Sequence, residues 1–264
     1  MNINEIYSEM AEVLGRGERA AVATIISGEG STPRKPGTKM LILSDGVTKG
    51  SIGGGIVEAK VRKYALSTLK TCQSRTVFFD FKSIKDPDID TRCGGNMTVL
   101  IEPLIPPEPA IIFGGGHIGF AIYSILATIN FNITVVDDRK LYASSKRFPL
   151  ARRVICAPFE KVFEKLRIDE NTFIIICTRA HKNDEICLRH AFLTQACYIG
   201  MLGSRSKVTA IKERLLKEGI PRRKLNSLHS PIGLDIGAQM PEEIAVSVAA
   251  ELIQFRAKRF RGKD

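Results

Sequence analysis

Apolar residues at Ile3, Ile6, Met10, Val13 and Leu14 recur at helical spacing and predict an opening helix over 3–14. Two apolar runs, AAVATIIS at 20–27 and KMLIL at 39–43, predict strands, and SDG at 44–46 predicts a tight turn into a further strand over 47–51. The intervening GEGSTPRKPGT is too rich in Gly and Pro to be anything but a loop. From Gly53 the chain opens with glycines and then places Val57, Val61, Tyr64 and Ala65 at helical intervals, predicting a helix to about residue 70. RTVFFDF at 75–81 and MTVLIEP at 97–103 predict two more strands around a polar loop that ends in Cys93-Gly94-Gly95.

The stretch PLIPPEP at 103–109 holds four prolines and reads as a stiff linker between a domain over 1–105 and another over 106–264. Beyond it the pattern changes. Short apolar strands at 110–113, 132–136, 153–156, 173–177 and 197–201 alternate with helical segments, which predicts a parallel sheet covered on both faces. A last helix starts at Pro241, with Glu242 and Glu243 favourable beside its positive end and an apolar arc (Ile244, Ala245, Val248, Leu252, Phe255) that should dock on the body of the protein.

Composition narrows the function. No apolar run approaches the roughly 20 residues needed to cross a bilayer, and the first residues lack the basic head and apolar stretch of a signal peptide. The expectation is therefore a cytoplasmic protein with no membrane role. The six cysteines show neither CxxC spacing nor a structural zinc pattern. The net charge of +11 comes partly from the tail (Arg256, Lys258, Arg259, Arg261, Lys263) and partly from loop residues such as Arg34, Lys35, Arg179, Lys182, Arg205 and Lys207. Such a balance suits an anionic small molecule or an acidic partner. Nucleic acid is not expected, because no nucleic-acid-binding motif appears, Trp is absent and aromatics do not interleave with the basic residues.

Four segments carry candidate chemistry. In IIFGGGHIG, Gly114, Gly116 and Gly119 form GxGxxG directly after a strand and before a helix, and Asp137 ends the next strand. Gly114 would make the tight turn, Gly116 would let a phosphate approach the backbone, and Gly119 would let helix and strand pack. His117 stands inside the turn, the helix start attracts an anion, and Asp137 would accept from a ribose hydroxyl. The fold class that follows is α/β, with a C-terminal Rossmann-type parallel sheet and an N-terminal α+β domain. A second glycine turn, Ser51 to Gly55, offers backbone amides to an anion, with Arg34 in the preceding Gly/Pro loop and Glu58 one turn into the helix; the alternative is a pair of ordinary turns. Cys93 is a thiol in a flexible loop beside Arg92, suited to a reactive or metal-liganding role or to simple packing. Finally, Arg179 and His181 follow one late strand and Ser204 and Arg205 another, where open α/β sheets place ligands. Ser204 also suits a plain helix cap, His190 reads as structural, and His229 stays open.

Taken together, GSTPRKPGTKM, GSIGGGIVE, CGG, IFGGGHIG, VVDDR, TRAHKND, YIGMLGSRSK and SPIGLDIGAQMPEEIAVSVAAELI resemble the XdhC/CoxI family of xanthine dehydrogenase accessory factors, over residues 28–253. One departure is Met240, where the family usually has a Thr capping the last helix. The resemblance implies a non-enzymatic maturation chaperone. It would hold molybdenum cofactor (molybdopterin), guard it while it gains a terminal sulfido ligand, and deliver it to an apo xanthine dehydrogenase-type molybdenum hydroxylase. A cysteine desulfurase and a second copy of the chain, in a homodimer, are the other implied partners. Residues 1–105 would be the XdhC/CoxI-type domain and 106–264 its Rossmann-type domain, with Cys93 near the metal or its sulfur. Two other readings stand beside it: an NAD(P)-dependent oxidoreductase, for which Arg139 is a suitably placed cation, and a sensor that binds another nucleotide in the Rossmann site.

Overall fold

The computed structural model describes residues 1–81 and 94–261, so Cys93 and its neighbour Arg92 lie outside the described residues. The chain divides into two units, Met1–Pro106 joined by the chain from Ala257 onward, and Pro107–Arg256. The sequence places all of the last helix with the second domain; the division gives its final turns to the first.

The first unit runs α1 (Ile3–Gly15), β1 (Ala20–Glu29), β2 (Lys39–Leu43), β3 (Thr48–Gly50), α2 (Gly55–Thr71), β4 (Arg75–Asp80) and β5 (Asn96–Leu104). Asn2 starts α1 through a capping box: its side chain accepts from the Glu5 amide, and Glu5 accepts in return from the Asn2 amide. The strands form an antiparallel sheet in the order β3-β2-β1-β5-β4. One face is covered by α2, whose Val57, Val61, Ala65 and Leu69 pack with Ala21, Ala23, Ile25, Val99 and Ile101. The apolar spacing of α2 is therefore the spacing of its sheet-facing side.

The second unit runs β6 (Pro109–Phe113), α3 (His117–Thr128), β7 (Asn132–Asp137), β8 (Arg153–Cys156), α4 (Phe159–Val162) with a 3-10 turn to Lys165, β9 (Phe173–Ile176), α5 (His181–Ala191), β10 (Tyr198–Met201), α6 (Arg205–Lys217), α7 (Arg222–Asn226), β11 (Leu228–His229) and α8 (Pro241–Arg261). All paired strands are parallel, in the order β11-β10-β9-β6-β7-β8. Each face of the sheet carries a core. On one, Ile112, Ile133, Val135 and Ile175 meet Ile122 and Leu126 of α3 and Ala245, Val248 and Leu252 of α8. On the other, Phe113, Ile174 and Ile176 meet Phe159, Cys187, Leu188, Ile211 and Leu215 from α4, α5 and α6. This is the mixed α/β architecture with a doubly covered parallel sheet that the alternating pattern predicts.

The order fixes where a ligand can sit. From β6 the chain winds one way through β7 and β8, then returns to the other side of β6 for β9, β10 and β11. The reversal lies between β6 and β9, and the loops after those strands therefore flank the crevice of an open parallel sheet. Ile175, fully buried at the centre of this sheet, should cost about 2–5 kcal/mol when cut to Ala, read as a lower urea midpoint with an unchanged slope.

Candidate functional site

The glycine turn after β6 packs closely at two of its three spaced glycines. Gly114 has φ +115°, and a Cβ there would stand 2.3 Å from the Cys177 carbonyl. A Cβ on Gly119 would fall 1.8 Å from the Gly114 carbonyl, so α3 can sit this close to the turn only with glycine. Gly116, the residue expected to admit a phosphate, has no atom within 4 Å of where a Cβ would be. His117 opens α3 and is exposed.

Asp137 is 2% exposed at the end of β7, and its carboxylate is fully used. Oδ2 accepts from the Gly115 amide at 2.9 Å and Arg139 Nη2 at 3.0 Å; Oδ1 accepts from the Arg139 amide at 3.0 Å and Arg139 Nε at 2.9 Å. Burial pushes this acid's pKa up, but the Arg139 guanidinium and the Gly115 and Arg139 amides outweigh it and hold it below its ordinary value. The expected acceptor for a ribose hydroxyl is therefore committed to the chain itself, because four donors already fill a carboxylate's roughly four lone-pair sites.

Around the turn lies a segment that carries no periodic signal in the sequence. The Tyr142 carbonyl packs against Gly115, where a Cβ would be 2.1 Å away. Arg147 donates from Nε to the Gly115 carbonyl at 3.2 Å and lies over the Phe120 ring at 4.6 Å. Arg139 stacks on Tyr142 at 3.8 Å. Arg179, from the loop after β9, donates to Asp138 Oδ2 at 3.0 Å and leaves 53% of its side chain exposed. Three arginines thus gather at the end of β7 and the glycine turn, Arg139 on Asp137, Arg179 on Asp138 and Arg147 on the Gly115 carbonyl.

The other loops at this edge are held by Asp184, 1% exposed in the first turn of α5. Its Oδ1 accepts from the Thr178 amide and hydroxyl at 3.1 and 2.6 Å, and its Oδ2 from Lys207 Nζ at 2.6 Å. Ser204 caps α6 by accepting from the Lys207 amide, which matches the plainer of its two readings. Arg205 is exposed. His181 lines a cleft of about 370 Å³ with Glu185, Arg189 and Arg214, on the flank of α5 and α6; the glycine turn does not contribute to that cleft. Burial pushes the Cys177 thiol up to about 12, so it is a protonated packing group against the Gly114 carbonyl. His190 stacks on Phe163, and His229 pairs through Nδ1 with Glu251 beside Tyr198.

In the first unit the three glycine loops meet. A Cβ on Gly53 would touch Pro33 at 2.7 Å, and one on Gly95 would stand 2.3 Å from the Glu29 carbonyl and 2.7 Å from that of Ser31. Yet the turn at 51–55 is not an open anion nest. Glu58 Oε1 accepts from Ser51 Oγ at 2.7 Å, the Gly54 amide at 2.8 Å and the Ile52 amide at 3.0 Å, while the Gly53 amide donates to Ser51 Oγ. Burial pushes the Glu58 pKa up, but the Ser51 hydroxyl and the amides of Gly54, Ile52 and Gly53 outweigh it and keep the acid ionised below its ordinary value. Gly55 begins α2 at φ +58°. Beside these loops is a cavity of about 750 Å³ bounded by Arg34, Thr38, Lys39, Ser51 and the start of α1. Lys39 reaches Thr24 Oγ1 at 2.9 Å. Among the described residues no three His, Cys, Asp or Glu side chains stand together as a metal site, and no helix is long and apolar enough to cross a membrane.

Comparison with known proteins agrees with this architecture. Residues 110–252 match the XdhC Rossmann domain, and residues 13–80 match the XdhC and CoxI family. The chain is 31% identical over 252 residues to the uncharacterised protein YqeB of Escherichia coli, covering 95% of this chain and 46% of that protein. It is 32% identical over 160 residues to a Bacillus subtilis protein described as a probable xanthine dehydrogenase subunit, covering 61% of this chain and 46% of that protein. It is 22% identical to the molybdenum cofactor insertion chaperone PaoD of Escherichia coli, over 93% of this chain and 86% of that protein. The chain thus spans about half the length of YqeB and of the Bacillus subtilis protein. A crystal structure described as a xanthine dehydrogenase from Bacillus halodurans superposes with a TM-score of 0.54 at 25% identity, covering 100% of this chain and 97% of that one.

Two outcomes test this geometry. Gly119→Ala should lose at least about 1–3 kcal/mol through overpacking, whereas Gly116→Ala, in open space at φ −67°, should cost about 1 kcal/mol or less as a weaker N-cap; thermal melts separate them. Asp137→Asn should lower stability at neutral pH and flatten its acid limb. With the folded-state pKa depressed, the carboxylate's contribution is complete above its ordinary value and is lost as pH falls through the folded one. Urea unfolding from about pH 6 to about pH 2 reads the difference.

Proposed function

Because the chain belongs to the XdhC family, we propose that it is a maturation factor and not itself an oxidoreductase. Its cargo is molybdenum cofactor, which it holds and shields while the terminal sulfido ligand is installed, and its client is a xanthine dehydrogenase-type molybdenum hydroxylase. The observation that carries this reading is the pair of family matches, which together occupy residues 13–80 and 110–252. The likeness to PaoD, a molybdenum cofactor insertion chaperone, supports it over most of the chain.

The residues of the first unit suit such a cargo. Molybdenum cofactor is an anion with a polar pterin, and the cavity presents Arg34 and Lys39 as cations, while the Ser51 and Thr38 hydroxyls are donated to Glu58 and the Lys35 carbonyl. Since Glu58 occupies the turn amides, those cations rather than backbone amides would meet the cargo phosphate. Cys93 enters from the sequence alone, as the thiol assigned to the metal or its sulfur. In the second unit the open Gly116 and the start of α3 are assigned to a phosphate-bearing ligand. Sulfur supply by a cysteine desulfurase, action in the cytoplasm and assembly as a homodimer complete the reading.

Anaerobic incubation of the protein with molybdenum cofactor, then gel filtration and assay of the protein fraction for molybdenum and oxidised pterin, tests it. Near-stoichiometric co-elution is expected, reduced by Cys93→Ala and by Arg34→Ala without loss of fold. No retention of either molybdenum or pterin by the folded parent protein would overturn it.

A further inference from the structure

The corner between β7 and the glycine turn is built around cations, and we infer that it selects a nucleotide whose ribose carries a phosphomonoester over one with a free ribose diol. The inference extends the assignment of a phosphate-bearing ligand to this turn and rests on it. In a Rossmann unit the acid ending the second strand receives the ribose hydroxyls, and it does so with carboxylate oxygens left free for them. Here that acid is Asp137, and neither oxygen is free: Gly115 and Arg139 supply four donors to it within 3.0 Å. A hydroxyl arriving at Asp137 would have to displace one of these buried bonds, two of them from the Arg139 guanidinium, and would offer only an uncharged donor in exchange.

What the corner offers instead is donors. Arg139 spends Nε and one Nη2 hydrogen on Asp137 and retains the rest of its five N–H groups. Its plane is fixed on the Tyr142 ring at 3.8 Å, so the remaining donors are oriented in advance. Arg179 reaches the same place, anchored on Asp138 at 3.0 Å with over half of its side chain open to an incoming group. Guanidinium groups match the geometry of phosphate oxygens, whereas a ribose diol needs an acceptor. Asp138 is the remaining carboxylate here, and Arg179 already occupies its Oδ2.

NADPH and NADH differ by this one phosphomonoester and serve as probes, titrated against the full chain by nicotinamide fluorescence at fixed ionic strength. NADPH should bind about tenfold or more tightly, the ratio expected of one added charge-assisted hydrogen bond. Arg179→Ala, on an exposed side chain, should lose most of that ratio by weakening NADPH, and because it frees Asp138 Oδ2 it should not weaken NADH. Arg139→Ala frees Asp137 and should reverse the preference toward NADH. Equal affinity for the two probes, or tighter NADH, in the parent protein would pass ribose recognition to Asp138 and overturn the inference while leaving the phosphate site standing. Binding of neither probe would remove the phosphate site itself, and the inference with it.

Discussion

A backbone amide in a tight turn must find an acceptor, and in both units that acceptor is a carboxylate of the chain's own. Asp137 takes the Gly115 amide, Glu58 takes those of Ile52 and Gly54, and Asp184 takes that of Thr178. Burying such an anion is costly unless it is paired or hydrogen-bonded throughout. Each is accordingly met by further donors: Arg139 on Asp137, Ser51 on Glu58, Lys207 on Asp184. The loops that would touch a ligand therefore take their shape before any ligand arrives, and what remains to recognise one is whatever these internal bonds leave over.

Much of the architecture is legible in the sequence because burial imposes a period. The apolar residues at 57, 61 and 65 lie on the sheet-facing side of α2, and those at 245, 248 and 252 on the docked side of α8. Fully buried strands such as Phe173–Ile176 show as unbroken apolar runs. Elements too short to display a period escape it, among them α4, α7 and the two-residue strand β11. Sheet order is beyond the sequence as well, since alternation of strands and helices says that the strands are parallel but not on which side of β6 each falls.

The site is legible in its backbone and not in its side-chain partnerships. Glycine spacing reports where chain segments touch, and close approaches lie at Gly114 and Gly119 as that spacing requires. Gly115, a free position in the motif, turns out to be needed because the Tyr142 carbonyl packs on it. The motif alone makes Asp137 a ligand acceptor, because its place there says nothing of a cation two residues later that folds back onto it. The segment holding Tyr142, Arg147 and Phe148 has no period. Its available signals are two aromatic residues, Tyr142 and Phe148, the second 1% exposed.

The two glycine loops, similar in sequence, are thus chemically different. In the first unit the carboxylate sits inside the turn itself and takes its amides, which leaves the exposed Arg34 and the part-buried Lys39 as the cations beside it. In the second unit the carboxylate lies to one side of the turn, leaving Gly116 open and holding Arg139 between Asp137 and the Tyr142 ring. That arrangement spends its ordering cost during folding and so favours tight, shape-selective binding. The two turns thus differ in what their own carboxylates leave over: side-chain cations in the first unit, an open Gly116 and part of the Arg139 guanidinium in the second.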